Sequence, residues 1–155
     1  MKRYDCLKAL AAKLTDEIVV SNLANTSTEW RAVRPHEGNL YTVGLGMVTP
    51  YAMGLALALP DRRVLALDGD GGILFDMSIL GTMARTAPKN LCSIVLDNEG
   101  YVSTGKWASV PSLSAGPVDI ESVARGSGLE NAVTVRSVDE LIAAVERWYE
   151  KDPGP

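Results

Sequence analysis

Unbroken apolar runs alternate along the chain with segments of helical period, and this alternation limits the folds open to it. The runs are "EIVVSN", "NLYTVGLG", "RRVLALDGD" and "LCSIVLDNEG", with a shorter one in "NAVTVRS". Strands that face solvent on one side alternate polar and apolar residues; strands covered on both faces do not. Between the runs, "PYAMGLALAL" reads as a helix with Pro50 in its first turn, closed by Pro60 and Asp61. "ILFDMSILGTMARTA" reads as one helix carrying Ile73, Met77, Leu80 and Ala84 on one face, stopped at Pro88. "YDCLKALAAKL" places Leu7, Leu10, Ala11 and Leu14 at helical spacing, and "NTSTEWRAV" opens with cap residues. "DIESVARGSG" and "SVDELIAAVERWYEK" are helices capped by Asp119 and Ser137. The order predicts an α/β fold: a three-layer, doubly wound, mainly parallel sheet with helices on both faces. At 155 residues it predicts one domain, residues 1–155.

Ligands of such sheets bind at the carboxyl ends of the strands. Three strands here end in unusual text: "VGLGM", "LDGDGG" and "LDNEGY". Asp70 stands between two glycines at the point where a strand gives way to a helix. A helix start favours an anion, and a carboxylate beside an anion requires a cation between them. Mg²⁺, which takes oxygen ligands from one or two protein groups plus phosphate, meets that need. "GDGGIL" and "GLGMVT" both lack the last glycine of a dinucleotide fingerprint, having Leu74 and Thr49 there. A calcium loop opening at Asp68 would need a Glu where Ile79 stands. Taken alone, "LDGDGG" also reads as a plain Asp-Gly turn. Asn98 follows one strand–helix–strand step later, on what should be the neighbouring strand end. Its side-chain oxygen and a carbonyl of "NEGY" would complete a hard-cation site.

"GDG" followed at this interval by "DNEGY" resembles the metal–diphosphate motif of thiamine diphosphate enzymes. The resemblance implies Mg²⁺ held by the side chains of Asp70 and Asn98 and the carbonyl of Gly100. It implies thiamine diphosphate held by Gly69, Gly71, Gly72 and Tyr101, with Gly71 and Gly72 offering N–H groups to the diphosphate. "NTSTEW" resembles the first diphosphate loop, which places Thr26 and Ser27 there. "VGLGMVTPYAMG" resembles the wedge segment, with Leu45 under the cofactor and the Val43 carbonyl on its aminopyrimidine. Asp97 and Asp76 depart from the asparagines the family usually has at those positions.

"PDRRVLALDGDG", "APKN" and "LDNEGYVSTG" are most similar to the β subunits, or C-terminal halves, of sulfopyruvate and phosphonopyruvate decarboxylases. The match places Ser103 and Thr104 on the substrate side. Lys106-Trp107 replaces the Gly-Gln frequent in that group; Lys106 reads either as a substrate-side group suited to an anionic substrate or as an ordinary exposed lysine. The implied activity is decarboxylation of a 2-oxo acid. The pyrimidine-binding module, with the glutamate that activates the cofactor, is expected on a partner α subunit, in an assembly of two α and two β chains or larger. A carboligase of acetolactate synthase type, a 2-oxo acid oxidoreductase subunit and a non-catalytic assembly module remain alternatives. The family usually continues with a short final strand after the segment that ends here at Pro155; without it a sheet edge would need covering.

The remaining features read plainly. A net charge of −4 and the lack of a basic run argue against nucleic acid. No apolar stretch reaches the length of a membrane span, and the N-terminus lacks a signal-peptide pattern. Two cysteines, Cys6 and Cys92, are expected as free buried thiols in the cytoplasm. His36 is expected in a surface loop leading toward the site, and Met47, Met53, Met77 and Met83 as packing residues.

Overall fold

A computed structural model describes residues 1–102 and 110–151. The order of elements is α1 (Arg3–Lys13), β1 (Ile18–Asn22), α2 (Asn25–Val33), β2 (Asn39–Val43), α3 (Val48–Ala58), β3 (Val64–Gly69), α4 (Asp70–Phe75) and α5 (Ser78–Thr86). It continues with β4 (Leu91–Leu96), β5 (Gly100–Tyr101), β6 (Val110–Pro111), a 3-10 turn (Leu113–Ala115), α6 (Ile120–Gly126) and α7 (Val138–Lys151). The main sheet has the order β2-β1-β3-β4 and every pairing in it is parallel; β5 and β6 form a separate antiparallel hairpin. The chain moves outward from β1 in both directions, so the order reverses between β1 and β3. A crevice forms at such a switch point.

The apolar runs explain the three layers. Ile18 and Val20 of β1, with Val64 and Ala66 of β3, face Val48, Ala52 and Ala56 of α3 and the apolar side chains of α4 and α5. Val19, Leu65 and Leu67 face the opposite layer, where Leu7 and Leu10 of α1, Trp30 of α2 and Val145 and Trp148 of α7 pack. Successive strand residues therefore bury on alternate faces, and both faces are filled. The predicted caps are present: Asp119 accepts the Ser122 N–H at 2.6 Å, and Ser137 Oγ accepts the Glu140 N–H at 3.2 Å.

Several expectations are corrected. The helix expected across residues 73–87 is two helices. Asp76 leaves helical geometry (φ −125°, ψ 66°), and its carboxylate accepts the Ser78 hydroxyl at 2.5 Å. The break turns Met77 outward. Met77 and Met47 are both exposed, whereas Met83 is core. "NAVTVRS" forms no strand. The main-chain N–H groups of Thr134 and Arg136 are taken by the carboxylates of Glu121 and Glu140, each at 2.7 Å, instead of by a sheet neighbour. His36 lies before β2, at the amino ends of the strands, and accepts the Gly38 N–H at 3.1 Å within its own turn. It is remote from the carboxyl ends of the strands.

A buried polar network fastens the amino end of the sheet. Arg34, 7% exposed, donates to Thr15 O at 3.0 Å, Glu17 O at 3.3 Å and Asn39 Oδ1 at 3.1 Å. Its guanidinium lies 3.9 Å from the Glu17 carboxylate, which also accepts the Thr15 N–H and the Tyr149 hydroxyl. Burial lowers the Arg34 pKa, with Glu17 opposing the shift. Helices α2 and α7 are thereby tied to the start of β1. At the other end of β3, Asp68 is buried and pushed up to about 6 by desolvation, although it accepts Gly69 N–H at 2.8 Å and the Thr49 hydroxyl at 3.1 Å. A side chain at Gly72 would put its Cβ 2.1 Å from Asp68 Oδ1, so this position requires glycine.

Two outcomes follow for stability. Arg34→Met is expected to cost about 3–5 kcal/mol, because Glu17 stays buried without its counter-charge. Adding Glu17→Leu should return part of that loss, which urea denaturation of the single and double variants measures. Gly72→Ala is expected to cost about 2–4 kcal/mol through collision with a short buried side chain; an unchanged urea midpoint would show that the turn yields.

Candidate functional site

The carboxyl ends of β1, β2, β3 and β4 lie at one edge of the sheet, and the backbone there is restrained. Ala24 (φ 60°), Thr42 (φ 58°) and Glu99 (φ 57°) occupy the left-handed half of backbone space just after β1, in β2 and after β4. Such conformations cost on the order of 1–3 kcal/mol each and gather at functional sites. Ala24 also provides no side-chain cap for α2. The first N–H groups of that helix, at Asn25, Thr26 and Ser27, precede its internal hydrogen bonding. Thr26 and Ser27 are both buried. The Ser27 hydroxyl is spent within the fold: it donates to Asn22 O at 2.5 Å, accepts Thr42 N–H at 2.6 Å and lies 2.8 Å from Ser21 Oγ. At Ser27 the group left for a ligand is therefore the main-chain N–H.

The pairing of β3 with β4 brings Gly69 opposite Leu96, so the loops that follow lie side by side. Asp70, 3% exposed, accepts Gly100 N–H on Oδ2 at 3.1 Å. One terminal atom of the Asn98 amide stands 3.1 Å from Asp70 Oδ1 and 3.0 Å from the Gly100 carbonyl oxygen. With the nitrogen in that place, the amide donates to both. With the oxygen there, three oxygens face one another, which is unfavourable without a cation. Neighbouring ligands of octahedral Mg²⁺, at bonds of about 2.1 Å, stand about 3 Å apart. The two separations from Asn98 therefore fit neighbouring ligands of one Mg²⁺ ion. Among the described residues no cluster of three His, Cys, Asp or Glu side chains is placed for a metal; this site consists of one carboxylate, one amide and one carbonyl.

Cβ atoms at Gly69, Gly71 and Gly72 would meet Asn22 Nδ2 at 3.0 Å, the Tyr101 ring at 2.6 Å and Asp68 Oδ1 at 2.1 Å. Their missing side chains make room for other protein groups. The Gly69 N–H is taken by Asp68 Oδ1, whereas those of Gly71 and Gly72 lie in the first turn of α4, ahead of its internal hydrogen bonding. Tyr101 lies over Gly71. Val43 ends β2 beside Asn22, and Leu45 follows it, 39% exposed. Met47 and Phe75 are exposed near it, and Phe75 packs against Gly46, which adopts φ +75°. Ser103, Thr104 and Lys106 lie outside the described residues. Sequence reading missed Asn22, Ser112 and Ser114. Ser114 touches both Asp97 and Asp70, yet "PSLSAG" reads as an ordinary loop.

Comparison with known proteins places this geometry in context. Residues 24–155 match the family described as "Thiamine pyrophosphate enzyme, C-terminal TPP binding domain". Sulfopyruvate decarboxylase of Methanosarcina acetivorans is 38% identical over 149 residues, 96% of this chain and 38% of that protein. Sulfopyruvate decarboxylase subunit beta of Methanococcus maripaludis is 33% identical over 147 residues, 94% of this chain and 76% of that subunit. The chain thus spans well under half of the first relative and about three-quarters of the second. The crystal structure of benzoylformate decarboxylase from Polynucleobacter necessarius superposes with a TM-score of 0.77 at 19% identity, covering 99% of this chain and 32% of that one, and so shares the fold. No helix among the described residues is long and apolar enough to cross a membrane. By the extent of the family match, the chain belongs to the C-terminal, TPP-binding domains of the thiamine pyrophosphate enzymes.

Proposed function

We propose that residues 1–155 form the diphosphate- and Mg²⁺-binding subunit of a heteromeric thiamine diphosphate-dependent 2-oxo acid decarboxylase of the sulfopyruvate/phosphonopyruvate type. The observation that carries this reading is the convergence of Asp70 Oδ1, the Asn98 amide and Gly100 O at 3.0–3.1 Å. In this reading Asp70, Asn98 and Gly100 hold the cation. The N–H groups of Thr26 and Ser27 at the start of α2, and of Gly71 and Gly72 at the start of α4, receive the diphosphate. Gly69 and Tyr101 shape the turn beneath it. Leu45 stands under the cofactor as an apolar support, and the Val43 carbonyl meets its aminopyrimidine. Ser103, Thr104 and Lys106 face the substrate. When bound, thiamine diphosphate supplies the electron sink for loss of carbon dioxide from a 2-oxo acid.

A partner α subunit completes the site in this reading and brings the activating glutamate. Two observations support it. The relative from Methanococcus maripaludis is named a subunit beta. Leu45, Met47 and Phe75 leave apolar surface at the edge where the cofactor would lie, the kind of surface a partner covers. An assembly of two α and two β chains, or larger, follows. The free thiols of Cys6 and Cys92, the latter pushed up to about 12 by burial, suit a reducing, cytoplasmic setting.

Calorimetric titration with thiamine diphosphate and Mg²⁺ tests the proposal, on this chain alone and co-expressed with its genomic neighbour. Mg²⁺-dependent binding is expected in the pair, with loss of binding in excess EDTA. Asp70→Ala should weaken it by about a hundredfold, roughly 2.7 kcal/mol. Unchanged cofactor affinity in Asp70→Ala would remove the metal assignment, and absence of binding in both preparations would remove the decarboxylase reading.

A further inference from the structure

The loops that would hold the cation are held in turn from a part of the chain outside every motif. Ser114, in the 3-10 turn after β6, places its Oγ 2.8 Å from Asp97 Oδ1 and 3.3 Å from Asp70 Oδ2. Ser112, which is buried, has its Oγ 2.7 Å from Ser114 Oγ, and its N–H donates to Glu99 O at 3.1 Å. Asp97 Oδ1 also accepts the Glu99 N–H at 2.9 Å. One hydroxyl of the turn after β6 thus lies between two carboxylates, Asp97 of the β4–β5 loop and Asp70 at the start of α4.

That hydroxyl has a directional consequence. A carboxylate on a short side chain rotates in a broad, roughly two-fold well, so nothing local decides which oxygen faces which way. Asp70 Oδ2 receives the Gly100 N–H and lies in reach of the Ser114 hydroxyl, which leaves Oδ1 facing the Asn98 amide, itself against the Gly100 carbonyl. If the Ser112 hydroxyl donates to Ser114 Oγ, the single Ser114 proton is left to fork between Asp97 Oδ1 and Asp70 Oδ2, so that one donor lies between the two carboxylates.

We propose that Ser114 is a positioning residue of the cation site: its hydroxyl joins Asp97 to Asp70 and orients the Asp70 carboxylate toward Asn98 and Gly100. The inference rests on the reading of Asp70, Asn98 and Gly100 as Mg²⁺ ligands. Partners that orient a metal ligand are worth about 10–100-fold in affinity.

The test uses Mn²⁺ as a paramagnetic probe, titrated by electron paramagnetic resonance with thiamine diphosphate present, on the assembly with the co-expressed partner. Ser114→Ala is expected to weaken Mn²⁺ binding about tenfold, whereas Ser114→Thr, which keeps the hydroxyl, stays within about threefold of wild type. Thermal midpoints measured without metal separate positioning from folding. A lower midpoint in Ser114→Ala with wild-type Mn²⁺ affinity would overturn the inference, as would equal weakening by alanine and threonine. Should the alanine variant fail to fold, Ser114→Cys, of similar shape but a weaker donor, is expected to show the same loss, and wild-type affinity there would overturn the inference. Asp70→Ala keeps the two readings apart. If it retains wild-type Mn²⁺ affinity, the ligand assignment itself fails; if it loses affinity while Ser114→Ala does not, only the role of Ser114 fails.

Discussion

A buried carboxylate with two further oxygen groups at its free edge sets the terms for this molecule. Asp70 is almost fully enclosed, and its Oδ1 meets the Asn98 amide, which in turn meets the Gly100 carbonyl. The amide can satisfy that apposition by donating, or it can turn its oxygen inward around a cation. The arrangement exists only because β3 and β4 are parallel neighbours in register, so that the loops after Gly69 and Leu96 emerge together. The layers of helix on each face hold that register: a slip by one residue would carry Val64 and Ala66 to the face that now packs Leu65 and Leu67.

The two ends of the sheet divide the work. At the amino ends, the buried pair of Arg34 and Glu17 is closed by protein groups, with Thr15, Asn39 and Tyr149 as partners. At the carboxyl ends, Asp70, Asn98 and Gly100 meet through the Asn98 amide, and the first N–H groups of α2 and α4 precede their helices' own hydrogen bonding. Left-handed backbone at Ala24, Thr42 and Glu99 lies at this end as well. A closed polar base beneath a strained rim is what a ligand-binding edge of a parallel sheet requires.

Much of this was legible in particular residues. The runs around Val19, Leu65 and Ile94 announced strands covered on two faces, and the pairing of Asp70 with Asn98 followed from one crossover. Other features were not legible. The split between α4 and α5 depends on Asp76 catching Ser78, which helical periodicity ignores. The loss of the strand expected around Val133 depends on Glu121 and Glu140 taking main-chain N–H groups. The motif "GDGG" shows where glycines stand but not that Asn22, Tyr101 and Asp68 fill the space a side chain would take there.

The sequence by itself determined the α/β layering, the parallel order of secondary elements and the oxygen donors at two strand ends, because each is written in local period and in short motifs. Only the tertiary structure decided what surrounds those donors. Ser114 reaches Asp70 across 44 residues and Asp97 across 17, and Tyr101 closes over Gly71. Contacts of that kind depend on how distant segments meet after the sheet has formed, and no local pattern in the chain encodes them.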